Sequence, residues 1–439
     1  MKISNSLTLE AVLSIGYIAL FVFVIHKSAF FRIERIPVWW FKAAFIVKIF
    51  FAVLLGIIYS KYYTDRLTAD TFKFFDDSKV LYNLAFEHPL WFLQAISGIN
   101  SEASYLLPYY DIMHNWYNKV VLFNDYRFQI RINTLLRFIS LGYYHVHAVF
   151  HCFLSFVGLT ALLKLFVKAL PELRKVLFAG VFFIPSVLFW GSGLLKDSLI
   201  LFATGMALYF LNRLIQEKKP VTFFGALFFL LFLMMIKFHN FILLLPLFAA
   251  YLITSVYRKK TLLIFVLIVS VYYLILINLN LVLPGFGLME LLSNKQAEFV
   301  DLANDYHANS AIAINHLTPS EWNAIANTPQ ALWHSFFRPY PFESKNLFYQ
   351  ISGFENLFFG LLIILVLINF KKPKSASPLF WVAVFYTFSL FELIGLVTPV
   401  MGAIVRYKIQ ALPFLFFLLI YLTDIEKLRS VFITKSKIT

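Results

Sequence analysis

Charge is scarce in this sequence, and acidic charge most of all. Only 14% of its 439 residues are charged, with 23 Asp and Glu against 38 Lys and Arg. A soluble domain carries roughly 25% charged residues. A water-exposed fold is therefore excluded, because a chain that is 60% hydrophobic would have too little polar surface to solvate it. Cysteine is nearly absent. The lone Cys152 rules out an internal disulfide, and cysteine-pair metal and redox sites with it. A Walker-type glycine-rich loop, a dinucleotide fingerprint and a His-Glu-x-x-His run are also missing, so cytoplasmic ATP as an energy source has no support. No cleavable signal peptide is expected, since the first apolar stretch has no basic lead beyond Lys2 and contains Glu10. No fixed-period repeat and no Gly/Ser linker divides the chain, which reads as a single transmembrane domain over 1–439.

What the chain has in abundance is apolar and aromatic length. Aromatic residues make up 19%, with 53 Phe; Phe suits lipid, and Trp and Tyr suit its interfaces. A helix needs about 20 apolar residues to cross the hydrocarbon. Spans are predicted near 7–25, 43–60, 138–163, 176–190, 198–214, 221–236, 241–257, 261–282, 351–370, 378–398 and 407–423. The expected fold is an all-α, polytopic transmembrane bundle of about eleven helices.

Charge placement orients that bundle. If the spans alternate, one side receives Lys27, Arg32, Arg35 and Lys42, then Lys164, Lys168, Arg174 and Lys175, then Arg213, Lys218 and Lys219. The same side takes Arg258, Lys259 and Lys260, then Lys371, Lys372 and Lys374, and finally Lys427, Arg429, Lys435 and Lys437. Short loops opposite carry only Lys196, Lys237 and the Arg406/Lys408 pair. The positive-inside rule makes the first set cytoplasmic. The N-terminus is then outside, the C-terminus is in the cytoplasm, and the net charge of +15 is topogenic rather than a nucleic-acid footprint. The expected location is a cell membrane, of bacterial inner-membrane type, with membrane lipids as surroundings.

Two long segments, 61–137 and 283–350, fall on the outer face. The first is rich in aromatics, among them Tyr62, Tyr63, Phe72, Phe74, Phe75, Trp91, Phe92, Tyr105, Tyr109, Tyr110, Trp116 and Tyr117, which favours amphipathic helices at headgroup level. The second carries Thr318-Pro319-Ser320-Glu321, read as a capping box with Thr318 at the cap, and Thr328-Pro329, read as a second helix start.

The candidate chemistry gathers outside. Nine of the ten histidines lie there, His26 being the exception, and of the acids only Glu34, Glu172, Glu217, Asp424 and Glu426 fall inside. Asp65, Asp70, Asp76 and Asp77 cluster just after the second span. They can serve as a general base or coordinate a divalent cation, or simply form a solvated acidic turn. The hairpin Trp190-Gly-Ser-Gly-Leu-Leu-Lys196-Asp197 offers a cation beside the hydrocarbon, where ionisable groups are expensive; the plainer reading is a local Lys196–Asp197 pair. Lys237 with His239 occupies another tight hairpin, and Arg406 opens the last span. Lys196, Lys237 and Arg406 either converge on one phosphate or snorkel separately. His147 and His151 share a helix face with His145 nearby, and no third metal ligand accompanies them by motif, so polar helix packing is the expected role. No metal site and no cofactor is assigned. Glu10 and Glu392 sit inside spans and either line a cavity or mark a boundary.

With these pieces in place the layout resembles the GT-C class of polytopic membrane glycosyltransferases over roughly residues 43–423. The resemblance is carried by Asp70-Thr-Phe-Lys-Phe-Phe-Asp76-Asp77, by Pro185 through Ser198, and by Arg406-Tyr-Lys-Ile-Gln-Ala-Leu-Pro413. It implies transfer of a sugar from a polyprenyl-phosphate-linked donor to a glycan, lipid or protein acceptor, in cell-envelope glycan assembly. It also implies a loop carboxylate as base, Asp70 first with Asp76 and Asp77 as rivals. Donor phosphate contacts would come from Lys196 and Arg406, more weakly from Lys237 and His239. The chain departs from the class in its extra first span and in the spacing of its acids. Two alternatives stand beside this one. A repeat-unit polymerase of O-antigen or capsule type would use the outer arginines Arg127, Arg131, Arg137 and Arg338. A transporter or flippase of lipid-linked glycan would need inverted repeats and broken mid-membrane helices.

Overall fold

The computed structural model describes residues 2–61, 66, 69–114, 124–257, 260–305, 310–372, 377–424 and 427. Asp65, Tyr62, Tyr63, Trp116, Tyr117, Glu426 and the bases Arg258, Lys259, Lys374, Arg429, Lys435 and Lys437 lie outside the described residues. The fold is all-helical, with only isolated bridges among the described residues. In chain order the helices are α1 (Lys2–Lys27), α2 (Val38–Lys61), α3 (Asp70–Glu87), α4 (Pro89–Ser97), α5 (Leu107–Asp111), α6 (Asp125–Ser140), α7 (Tyr144–Ala169), α8 (Arg174–Phe182), α9 (Pro185–Trp190) and α10 (Lys196–Glu217). They continue as α11 (Pro220–Ile236), α12 (Phe238–Val256), α13 (Thr261–Ile277), α14 (Leu288–Asp305), α15 (Glu321–Phe337), α16 (Leu347–Ile368), α17 (Pro378–Val397), α18 (Met401–Tyr407) and α19 (Leu412–Leu422).

Seven of these, α1, α2, α7, α10, α12, α16 and α17, are long and apolar enough to cross a bilayer, so the chain is a multi-pass membrane protein by length and composition. An eighth span is formed if α18 and α19 are taken together across a 64° bend. The remaining expected spans are altered for local reasons. Helices α11 and α13 have 17 residues each, about 25 Å at 1.5 Å per residue, short of a roughly 30 Å hydrocarbon core. The stretch 176–190 is not one helix: α8 stops at Phe182 and α9 restarts at Pro185, because proline has no N–H to donate and disfavours a helical residue before it. The third span starts at Tyr144 rather than 138, since α6 runs to Ser140 and Leu141 and Gly142 turn with positive φ.

Two compact units result. The first comprises Met1–Lys164, Leu188–Phe210 and Lys219–Phe241. In it Phe21 of α1 stacks on Phe153 at 4.0 Å and meets Phe45 and Phe150 edge-on, fixing the extra helix to α2 and α7. Helices α7 and α10 cross through Gly158 and Gly205. A Cβ on Gly158 would collide with the Leu201 carbonyl, and one on Gly205 with that of Gly158, the close approach that small residues allow between membrane helices. Helices α3 to α6, from the first long segment, enclose a core of Phe74, Phe75, Leu81, Leu84, Ala95, Leu106, Met113 and Ile130. Leu194 of the α9–α10 turn joins that core.

The second unit comprises Leu165–Val187, Leu211–Lys218 and Ile242–Thr439. Its second long segment packs α14 and α15 on α17 through Leu317, Ala324, Ala331, Leu396 and Val397, with Gly395 against the Ala331 backbone. Gln296 ties this layer by donating to the carbonyls of Asn315 (3.0 Å) and Leu396 (2.6 Å). The expected capping box is displaced: α15 begins at Glu321 with Ser320 at its cap, and Thr318 N–H instead donates to Asn323 Oδ1 at 2.9 Å. Thr328-Pro329 starts no helix. Pro329 lies inside α15, and the Thr328 hydroxyl donates to Ala324 O and to Glu392 Oε1 at 2.6 Å, which gives the in-span Glu392 a structural partner.

Candidate functional site in the first unit

The first unit gathers six of the seven expected site residues: Asp70, Asp76, Asp77, Lys196, Lys237 and His239. Arg406, half-buried at the end of α18, belongs to the second.

Helix α3 carries the acids. Its start is pinned by the Thr71 hydroxyl against Tyr144 Oη at 2.6 Å. Farther along, Arg137 of α6 donates to Ser78 Oγ at 2.7 Å and to the Phe75 carbonyl, and its guanidinium lies 4.2 Å over the Phe75 ring. Burial pushes Arg137 down to about 10, with Asp76 opposing, so it stays cationic near neutrality. That use of Arg137 is structural.

The three acids then separate. Asp76 receives Arg66 in a two-pronged pair at 2.8 and 2.6 Å, and Arg66 rests 4.3 Å over Phe72. Asp77 is buried, and one of its oxygens takes both the backbone N–H of His114 at 3.0 Å and Nδ1 of that imidazole at 2.6 Å. It holds the end of the α5 turn to α3. We expect Asp77→Ala to loosen this segment by about 1–3 kcal/mol, the cost of orphaning buried donors. Limited proteolysis near His114 should accelerate, while Asp70→Ala leaves that cleavage unchanged. Asp70 opens α3, half-buried, and lies within electrostatic range of Lys196.

Lys196 is the centre of the arrangement. It begins α10, where the glycine-rich turn ends, and its side chain is 7% exposed. Its partner is not Asp197 but Asp125, at 2.8 Å. Asp125 opens α6, whose start is capped by Asn124 accepting from Arg127 N–H at 2.9 Å. The ammonium sits 3.3 Å over Tyr126 and 5.5 Å over Phe74, a cation–π setting. Lys237, at the end of α11, is also within electrostatic range. An ammonium has three donors and Asp125 takes one. Charged groups from α3, α6, α10 and the α11–α12 turn thus come within electrostatic range of Lys196. His239 lies in the first turn of α12, half-buried.

The glycine-rich turn is itself held from below. Lys48 of α2, fully buried, donates to Gly191 O at 2.7 Å and to Ser192 Oγ at 3.1 Å. The sequence held a signal for it, one cation in an otherwise apolar run. Asp125 and Tyr126 had none, since their pairing with Lys196 spans distant segments. The histidines sit in hydrogen-bond networks: His147 engages Ser140 Oγ at 2.7 Å and Asn133 Oδ1 at 2.9 Å, and His151 engages Ser198 Oγ at 2.9 Å. His145 pairs with Glu10 at 2.8 Å. Among the described residues no group of three or more His, Cys, Asp or Glu is placed to hold a metal ion.

The second unit has a buried polar cluster of its own. Next to Arg406 in sequence, Lys408 is fully buried and donates to Asn356 Oδ1 at 2.6 Å and to the carbonyls of Ser335 and Arg338. Glu355 accepts from Ser186 N–H at 2.7 Å and Ser186 Oγ at 2.6 Å. Lys408 thus ties the bend between α18 and α19 to the end of α15 and to α16, and Glu355 satisfies the restart of α9.

Compared with known proteins, the chain matches no family model, no curated protein and no solved structure.

Proposed function

We propose that the protein is a membrane glycosyltransferase of GT-C type, moving a sugar from a polyprenyl-phosphate-linked donor onto an extracytoplasmic acceptor. The observation that supports it most is that Asp70 and Lys237 lie within electrostatic range of the enclosed Lys196 in the first unit. Such a locus can do both halves of the reaction. The ammonium groups stabilise the departing phosphate, and the Asp70 carboxylate takes the proton of the acceptor hydroxyl. Stacked aromatics on the same segment, Trp91 against Tyr105 at 4.8 Å and against His88 at 3.9 Å, provide flat surfaces for sugar rings. The distribution of basic loops supports an outer-face locus, an outside N-terminus and about eleven crossings, the short, broken and bent segments included. His239, in the first turn of α12, adds a candidate contact to the donor phosphate.

Of the four arginines that a repeat-unit polymerase would use, Arg137 is held against Ser78 and Phe75 and Arg338 pairs with Glu343 at 3.3 Å, which favours the carboxylate reading. We expect Asp70→Asn to remove transfer from a polyprenyl-phosphate-linked sugar in membrane preparations by 10²-fold or more, and Asp76→Asn to retain most of it. Equal activity of Asp70→Asn and wild type would refute the assignment.

A further inference from the structure

The first long segment contains a small pocket, distinct from the Lys196 locus and lined by Leu81, Ala95, Met113 and Ile130 together with Tyr110, Arg127 and Arg131. Its polar walls are built, not incidental. Arg131 donates its Nε–H to Ala95 O at 2.7 Å. Its guanidinium fills the space beside Gly98, where φ is +80° and a Cβ would come within 2.9 Å of it. Only glycine both adopts that backbone and leaves that room. Arg127 lies 4.2 Å over the Tyr110 ring and gives one N–H to Glu102. Glu102 therefore offsets one of the two cations and the pocket keeps a net positive charge.

Helix capping accounts for one donor of Arg131, since Ala95 lies in the last turn of α4. It does not account for Tyr110. The Tyr110 hydroxyl is buried with no hydrogen-bond partner among the described residues, a state that costs about 1–3 kcal/mol and calls for an acceptor. Before any side chain shifts, the pocket has room for about one water-sized group. One oxygen of an oxyanion has that size, and two guanidinium groups select an anion over water.

We propose that this pocket binds a single oxyanion, the carboxylate or phosphate of an acidic sugar, and so holds the acceptor glycan beside the transfer locus. The second half of that statement rests on the glycosyltransferase reading; the anion site does not.

The test is calorimetric titration of the purified full-length protein with glucuronate, with inorganic phosphate and with neutral glucose, for wild type and Tyr110→Phe. Saturable binding of glucuronate or phosphate but not glucose is expected, weakened about tenfold by Tyr110→Phe. The ligand-free variant should melt no lower than wild type, because the substitution removes only an unsatisfied buried hydroxyl. Arg131→Gln, which puts the α4 cap at risk, should weaken binding further, and Tyr110→Phe keeps the result interpretable if that variant does not fold. Unchanged affinity in Tyr110→Phe, or equal binding of glucose, overturns the site. Repeating the titration in nanodiscs of phosphatidylcholine and of phosphatidylglycerol separates the sources: displacement of glucuronate by phosphatidylglycerol would make the ligand a lipid headgroup and overturn the acceptor role. Anion binding sensitive to Tyr110→Phe in a protein without sugar transfer would sink the transferase reading alone.

Discussion

Lys196→Met should lower sugar transfer by about 10²–10³-fold, the range seen when one preorganised donor to a developing anion is removed. Lys196 is almost fully enclosed, over Tyr126 and against Asp125, so its charge is little screened and its loss is felt in full. The pair with Asp125 complicates a single substitution, because removing the lysine strands a half-buried carboxylate. The double variant Lys196→Met with Asp125→Asn resolves this. If the pair were only a strut, neutralising both sides would restore activity as well as folding, since buried ion pairs are commonly replaceable without loss of stability. If Lys196 holds the donor phosphate, the double variant should recover its melting temperature and stay inactive. Asp125→Asn alone keeps the cation and should cost about tenfold. Transfer from a polyprenyl-phosphate-linked sugar in proteoliposomes, with thermal melting in parallel, reads both arms.

A second large effect is expected at the crossing of α7 and α10. Gly158 and Gly205 meet backbone to backbone. A Val at either position must push the helices apart, and neither the Leu201 carbonyl nor the Gly158 carbonyl can move aside as a side-chain end would. Overpacking of this kind costs about 1–3 kcal/mol or more in ordinary cores, and here the strain falls on carbonyls. Gly205→Val should therefore reduce the folded yield several-fold in detergent, measured by monodisperse fraction on size exclusion. Gly360→Val is the control: nothing lies within 4 Å of a Cβ placed there, and the yield should be unchanged.

Much of the bundle was legible because its code is one-dimensional. Apolar length and basic-loop spacing require no knowledge of neighbours, and α1, α2, α10, α12, α16 and α17 overlap nearly all of their predicted spans, while α7 is shifted six residues along the chain. Misreadings occurred where proline or a short-range polar contact decided the backbone. Pro185 splits 176–190, and the buried Lys408 anchors a bend that the hydropathy of 407–423 conceals. At Thr328-Pro329 the expected helix start is absent: both residues lie inside α15, and the Thr hydroxyl meets Glu392 across a helix interface. The site shows the same division. Asp70, Lys196 and Lys237 were visible as charges at the ends of apolar runs. Their companions were not: that Asp125 receives Lys196, or that Asp77 serves His114, depends on α10 meeting α6 and on the end of α5 meeting α3, which no local pattern encodes.

The order in which the chain is made constrains how it can assemble. Gly180 of α8 is cut to fit against Phe416 of α19, where a Cβ would collide with the ring. At about 5–20 residues per second, α8 must wait roughly 10–50 s for the roughly 240 residues that separate it from that partner. Meanwhile the first unit cannot close until α10 and α11 follow it out. The first unit is thus complete once Phe241 is made, whereas the second, begun earlier at Leu165, stays unfinished until α19 follows. Ribosome-bound chains stalled near residue 300 should contain a protected first unit and a protease-accessible 174–182, which becomes protected only once α19 has been synthesised.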